Sequence, residues 1–429
     1  MAIAEVAQTC PRTSGFSARA GCVTMLRYGV SAAGPVAVSG AHFLASLIFL
    51  RALPAREFGL FSFVMVVVSF GMSLNVSLIS VPITRNLVTG EKHTRPICFP
   101  MNWLVCGGFA ALLFAALLAG GPALGQAAML ALFAGTFTFR WFARCLAFVN
   151  GRTAAAIQSD MLYGAALAIS LGALALTRQV NFILGSEMLL LSALLALAPF
   201  GPKFFRQQFG ALLRGSPKDY WPIFRDLTRW SLIGVVLTEL TVNAHAYLVT
   251  FISGAGSFAL LALGMLLMRP ASLMQSALPD LERPVMARAI AARDWDGVNR
   301  IQRRFLYGLS AAWAGNILLA GAILALVPAL VLKKGYALDQ VALVAALSAV
   351  IMAVRTLRVP PSVLLQAAGQ FKQLASIGTV SGAISVAATL ALLLAFGPVL
   401  SLGGILLGEL VILARVVQMA RDWKAQHAR

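Results

Sequence analysis

Between Phe58 and Pro82 the sequence runs for 25 residues without a charged side chain. Runs of this kind recur along almost the whole chain. About 20 apolar residues in a helix cross the roughly 30 Å hydrocarbon layer of a bilayer. In that layer every backbone N–H and C=O must be satisfied internally, which leaves only helices and closed barrels as spanning structures. The alternation with period two that marks a barrel strand is absent, so helices remain. Composition agrees: 11% of residues are charged and 59% hydrophobic, with mean hydropathy +0.84. A soluble domain would be about 25% charged. The expected class is an all-α polytopic membrane protein.

Proline, glycine and charge breaks delimit about 12 spans, at 28–50, 57–82, 100–119, 127–149, 155–176, 183–201, 226–252, 255–282, 305–330, 338–362, 374–396 and 398–418. The first run is too long for a signal-peptide core and has no small-residue cleavage pattern, so it reads as a retained helix. With the N-terminus inside, 29 of the 34 Lys and Arg residues fall on inner segments; Arg51, Arg56, Arg178, Lys333 and Lys334 fall outside. The excess of basic residues on cytoplasmic loops places both termini in the cytoplasm. It also accounts for the net charge of +19 as topology and contact with anionic membrane lipids, not nucleic-acid binding. Five cysteines without C-x-x-C spacing predict neither a disulfide framework nor a zinc site, and no cofactor is implied.

The two halves look alike. "NGRTAAAIQSDMLYGA" from Asn150 aligns with "AGQFKQLASIGTVSGA" from Ala368, matching Gly151 with Gly369 and, upstream, Arg140 with Arg358. "REFGLFSFV" from Arg56 resembles "GSFALLALG" from Gly256. Six spans per half preserve orientation, so the repeats are parallel, related by an axis along the membrane normal. The predicted organisation is an N-terminal tail (1–27), an N-lobe (28–201), a basic cytoplasmic linker (202–225), a C-lobe (226–418) and a C-terminal tail (419–429).

Several of these segments carry a family likeness. The short connection "FLRALPAREFGLFSF" from Phe49 is followed by a helix ending near Pro82 and Arg85. The stretch Gly254–Trp295, and the breaks Asn150-Gly151-Arg152 and Ala368-Gly369-Gln370, add to it. Together they resemble the polysaccharide-exporter branch, the Wzx-type flippases, of the multidrug/oligosaccharidyl-lipid/polysaccharide (MOP) superfamily. The likeness covers nearly the entire chain through degenerate motifs. It implies a V-shaped, MATE-like bundle in the bacterial inner membrane. Alternating access would pass an undecaprenyl-pyrophosphate-linked oligosaccharide across that membrane for surface-polysaccharide synthesis, alongside a polymerase and other assembly proteins.

Independent of the likeness, ionisable residues inside spans are expected to face a cavity or a partner, because each costs about 2.5–3.5 kcal/mol at a helix centre. Arg140 and Arg144 are one turn apart on the fourth span, as are Arg355 and Arg358 on the tenth, and Arg269 falls midway along the eighth. They read as cavity ligands for pyrophosphate or acidic sugars, since a guanidinium pairs phosphate oxygens bidentately; snorkelling toward the cytoplasmic helix ends is the other reading of the pairs. Arg51 could hold a phosphate at the outer leaflet or anchor to headgroups. Glu239, with Asn243 on the same face, and His42, in a stripe with Ser39 and Ser46, are candidates for H⁺ or Na⁺ coupling, or else for interhelical bonds. Glu187 and Glu409 carry the same two readings.

Three other readings stay open. A cation-coupled drug antiporter would share the fold but favours carboxylates in its cavity, whereas arginines outnumber them here. A lipid II flippase of the same superfamily commonly has more than twelve helices. A membrane polysaccharide polymerase or ligase needs a sizeable outer loop and a catalytic set, and the sequence offers short outer loops and four scattered histidines.

Overall fold

The computed structural model describes residues 18–80, 82–83, 94–214, 217–330 and 336–427. Arg85, His93, Lys333, Lys334 and most of the N-terminal tail therefore lie outside the described residues. Within them the chain is helical, from α1 (Ala18–Ala52) to α2 (Ala55–Asn75), which closes in a π turn at Val76–Ser80. The N-terminal half continues with α3 (Thr94–Ala119), α4 (Leu124–Val149), α5 (Thr153–Leu176), α6 (Phe182–Leu195) and α7 (Gly201–Arg214). The C-terminal half comprises α8 (Arg229–Ser253), α9 (Ala255–Leu267), α10 (Arg269–Ala291), α11 (Trp295–Leu326), α12 (Leu338–Ala367), α13 (Phe371–Phe396) and α14 (Leu402–His427).

Among the described residues ten helices are long and apolar enough to span a membrane. Two bent pairs bring the number to twelve: Ser231–Glu239 with Thr241–Ser253, at 58°, and Ala255–Leu267 with Arg269–Gln275, at 65°. The chain is a multi-pass membrane protein. Both bends coincide with local features of the sequence. In α8, Thr238 and Thr241 donate their hydroxyls to the carbonyls of Gly234 and Leu237, a back-bonding pattern that bends helices. Between α9 and α10, Pro270 stands in the first turn of the second helix and cannot donate to the ladder. Asn316 of α11 donates to the carbonyl of Leu267 that the break exposes (3.0 Å).

The core shows how the halves meet. One apolar cluster crosses both lobes, joining Phe49, Phe58, Phe61 and Phe133 to Phe258, Leu261, Val344 and Leu402. It lies toward the end that carries the α1–α2 connection at Pro54 and the α8–α9 connection at Gly254. Toward the other end the core divides, into one cluster around Phe142, Leu146 and Phe200 and another around Phe305, Leu364 and Trp423. The molecule is thus a V, closed at the Pro54 end. The seam runs along α2, α8 and α9, where Phe63 meets Tyr247 and Phe251 edge-on at 5.8 and 5.7 Å. Gly59 of α2 crosses α9 so closely that a Cβ there would stand 1.7 Å from the Ala255 carbonyl oxygen.

The segment expected to be a linker from residue 202 opens with α7, which packs on the N-lobe. A buried chain runs from Asn75 to Asn102 (2.7 Å) and on to Gln208 (3.5 Å), and the Trp103 indole donates to the Gln208 carbonyl.

Candidate functional site

The arms of the V enclose a chamber of about 400 Å³. Much of its wall is aromatic and sulfur-bearing, with Phe58, Phe61, Met65, Phe258 and Met352. Its charged and polar groups come from helices of both lobes.

On the N-lobe side, α1 presents Ser39, His42 and Ser46 to the chamber as one stripe. His42 is buried and shares a hydrogen bond through Nε2 with the Tyr163 hydroxyl at 2.7 Å. Behind it lies an ion cluster. Arg140 and Arg144, one turn apart on α4, both reach Asp160 of α5: Nη1 of Arg140 at 2.8 Å and Nε of Arg144 at 2.7 Å. Arg140 also donates to Ser159 Oγ, which in turn donates to the Ala196 carbonyl. The Arg140 guanidinium lies over the rings of Phe137 and Tyr163, and that of Arg144 over Trp141 and Phe148. Such stacking is worth about 2 kcal/mol or more where the cation is desolvated. Even so, Nε and Nη2 of Arg140 are buried without a hydrogen-bond partner. α1 crosses this cluster at Gly34, where a Cβ would stand 2.4 Å from Asp160 Oδ2.

These positions differ from the sequence expectation. Arg140 and Arg144 are not on the chamber wall; Asp160 is, and the arginines stand behind it. Four-residue spacing says that two side chains share a face, not which neighbour the face meets. Asp160 did not figure in the sequence reading. Its signal was present, a lone carboxylate in the apolar run Thr153–Leu176 that needs a partner.

The C-lobe has a counterpart. Glu409 of α14 is 1% exposed; it accepts a hydrogen bond from Arg355 Nε at 2.7 Å and forms an ion pair with Arg358 Nε at 3.0 Å, both from α12. Of the two readings for Glu409, the ion pair is the one observed. Arg355 lines the chamber and Arg358 does not. The Glu409 contact uses the Nε of Arg355, so its terminal nitrogens remain for a second partner. Each lobe therefore sets two guanidiniums against one carboxylate, with the carboxylate drawn from the fifth span in one half and the twelfth in the other.

Arg269 differs from all of these. It lies on the chamber wall at the first residue of α10, at the 65° break rather than midway along an unbroken span as expected. No carboxylate pairs with it among the described residues. Ser272, also on the wall, donates to its carbonyl at 2.7 Å; the side chain of Ser276, four residues further on, lies outside the description. Glu239 sits at the bend of α8 and accepts from Asn243 (3.0 Å) and Tyr247 (2.6 Å), both of its own helix. Asn243 reaches the chamber and Glu239 does not. His245, on the repeat-equivalent helix to His42, lines the chamber with its Nδ1 buried and unpartnered. Arg51 is exposed at the end of α1, away from the chamber lining.

Solved structures of similar fold exist. An inward-facing multidrug resistance MATE family transporter of the MOP superfamily superposes with TM-score 0.66 at 14% identity, over 90% of this chain and 95% of that one. The lipid II flippase MurJ in an inward closed conformation gives 0.65 at 12% identity, over 91% and 87%. A MOP superfamily transporter from Pyrococcus furiosus, described as having a binding pocket of reverse polarity, gives 0.60 at 13% identity, over 94% and 95%. No family model and no curated protein matches the sequence. At these identities the likeness establishes a MATE-like fold.

Proposed function

We propose that this chain is a flippase of the bacterial inner membrane that carries a polyprenyl-pyrophosphate-linked oligosaccharide across the bilayer by alternating access. The observation that carries the proposal is Arg269, a guanidinium on the chamber wall with no carboxylate of its own among the described residues. Arg269 is exposed to the chamber, so its guanidinium is open to an incoming ligand of opposite sign. Arg355 adds a second cation, oriented from behind by Glu409. Two guanidiniums suit a diphosphate, which offers several oxygens to their planar forks. Aromatic side chains and the stripe Ser39, His42, Ser46 suit the faces and hydroxyls of sugars. With the basic ends of the helices in the cytoplasm, the V opens inward, toward the side on which lipid-linked units are built. Arg140, Arg144 and Arg358 then act as the second layer of this wall, and Arg51 stands at the closed end. Glu239 with Asn243, at the bend of α8, is the candidate for H⁺ or Na⁺ coupling.

A second reading, a cation-coupled multidrug antiporter, is favoured by one observation: Asp160 lines the chamber amid aromatic and methionine side chains. Against it, Asp160 is already shared by two arginines.

The test is reconstitution. In proteoliposomes the wild-type chain should translocate a fluorescent polyprenyl-pyrophosphate oligosaccharide. Arg269→Ala should slow the rate at least tenfold at equal protein content, and Arg269→Lys should recover part of it. An unchanged rate in Arg269→Ala would remove this residue from the site.

A further inference from the structure

A second cleft lies outside the chamber, at the open end of the N-lobe. Its volume is about 530 Å³, and it is lined by the last turns of α4, the start of α7 and Phe99 of α3. Its floor is apolar, built from Phe99, Ala143, Leu146, Ala147, Phe200 and Phe204. Its rim is polar and exposed, with Asn150, Arg152, Lys203 and Gln207. Two cations and no carboxylate line it.

The depth of the rim identifies the occupant. α4 ends at Val149, so Asn150 and Arg152 follow directly on a complete membrane crossing. Lys203, in the first turn of α7, lines the same cleft and so stands at the level of Arg152. Both cations therefore stand where acyl chains give way to headgroups. Arg152 is held in place by its donations to the carbonyls of Phe200 (3.2 Å) and Pro199 (3.5 Å).

We propose that this cleft binds one anionic phospholipid of the cytoplasmic leaflet. Its phosphate sits between Arg152 and Lys203, its headgroup oxygens reach Asn150 and Gln207, and the first part of an acyl chain lies on Phe99, Leu146 and Phe204. A zwitterionic lipid offers the same phosphate but brings a cationic group toward two cations, which disfavours it. The site is separate from the chamber and does not depend on what the chamber carries.

Native mass spectrometry of the purified full chain, titrated with phosphatidylglycerol or phosphatidylcholine, tests this. Wild type should retain one phosphatidylglycerol in preference to phosphatidylcholine. The double variant Arg152→Gln/Lys203→Gln should bind that lipid at least tenfold more weakly. The single variant Lys203→Glu, which leaves the backbone contacts of Arg152 intact, should do the same. A control, Arg303→Gln/Arg304→Gln, removes equal charge from an exposed part of α11 and should bind like wild type. Retention of the lipid by both cleft variants, an equal loss in the control, or equal binding of phosphatidylcholine by wild type would each overturn the proposal.

Discussion

Asp160→Ala should leave little folded protein. The substitution strands the guanidiniums of Arg140 and Arg144, which are 0% and 9% exposed, with no counter-charge in reach. Removing one partner of a buried ion cluster costs about 3–5 kcal/mol, a large part of the 5–15 kcal/mol that separates folded from unfolded states of a typical domain. Size-exclusion profiles and thermal unfolding in detergent should show loss of the monodisperse peak or a strongly lowered midpoint. The comparison that gives this meaning is the triple replacement Arg140→Met/Arg144→Met/Asp160→Met. Exchanging a whole buried cluster for apolar side chains is often neutral or stabilising, so the triple variant should recover folding. If Asp160→Ala unfolds at the wild-type midpoint, the cluster is not holding α4 to α5.

Gly59→Leu should nearly abolish transport while leaving each lobe folded. No Cβ fits at this crossing, since it would stand 1.7 Å from the Ala255 carbonyl oxygen and 3.2 Å from the Ala259 Cβ. The seam between α2 and α9 must part to admit a leucine. Overpacking typically costs about 1–3 kcal/mol, and at 1.4 kcal/mol per tenfold that moves the closed state down by about 5- to 150-fold. The seam is an interface between lobes, so the strain falls on the closed conformation rather than on either core. A cysteine introduced at Ser62, which lines the chamber one turn from Gly59, should become reactive to an impermeant maleimide added from the Pro54 side. In the parent chain that cysteine should stay protected. Equal protection in both would mean that the Gly59 crossing does not govern closure.

Much of this architecture is legible in the sequence because the bilayer imposes a simple code. Apolar runs such as Phe58–Pro82 are helices, and Pro54 and Gly254 mark the sharp connections at one end. The code weakens where the backbone bends within a span. Arg269 seemed to lie mid-helix because hydropathy passes smoothly through it; Pro270, a residue at home in a first helical turn, was the sign of a new helix. The bend of α8 coincides with two threonine hydroxyls bonded back to the preceding turn, a feature with no hydropathy signature. Partners were harder still. Spacing placed Arg140 with Arg144 and Arg355 with Arg358, yet Asp160 and Glu409 come from helices that only the fold brings near. The contacts of residues 202–214 are hidden for a similar reason. Residues 202–214 look basic and amphipathic, but Gln208 is drawn into a buried chain with Asn102 and Asn75.

The central claim is that the chamber is built for an anion. It is tested most directly by titrating the purified chain with inorganic pyrophosphate and, separately, with tetraphenylphosphonium, a lipophilic cation, following thermal stability. The account expects pyrophosphate to raise the unfolding midpoint in wild type and to lose that effect in Arg269→Ala/Arg355→Ala, with the cation inert. Stabilisation by tetraphenylphosphonium and indifference to pyrophosphate would contradict it.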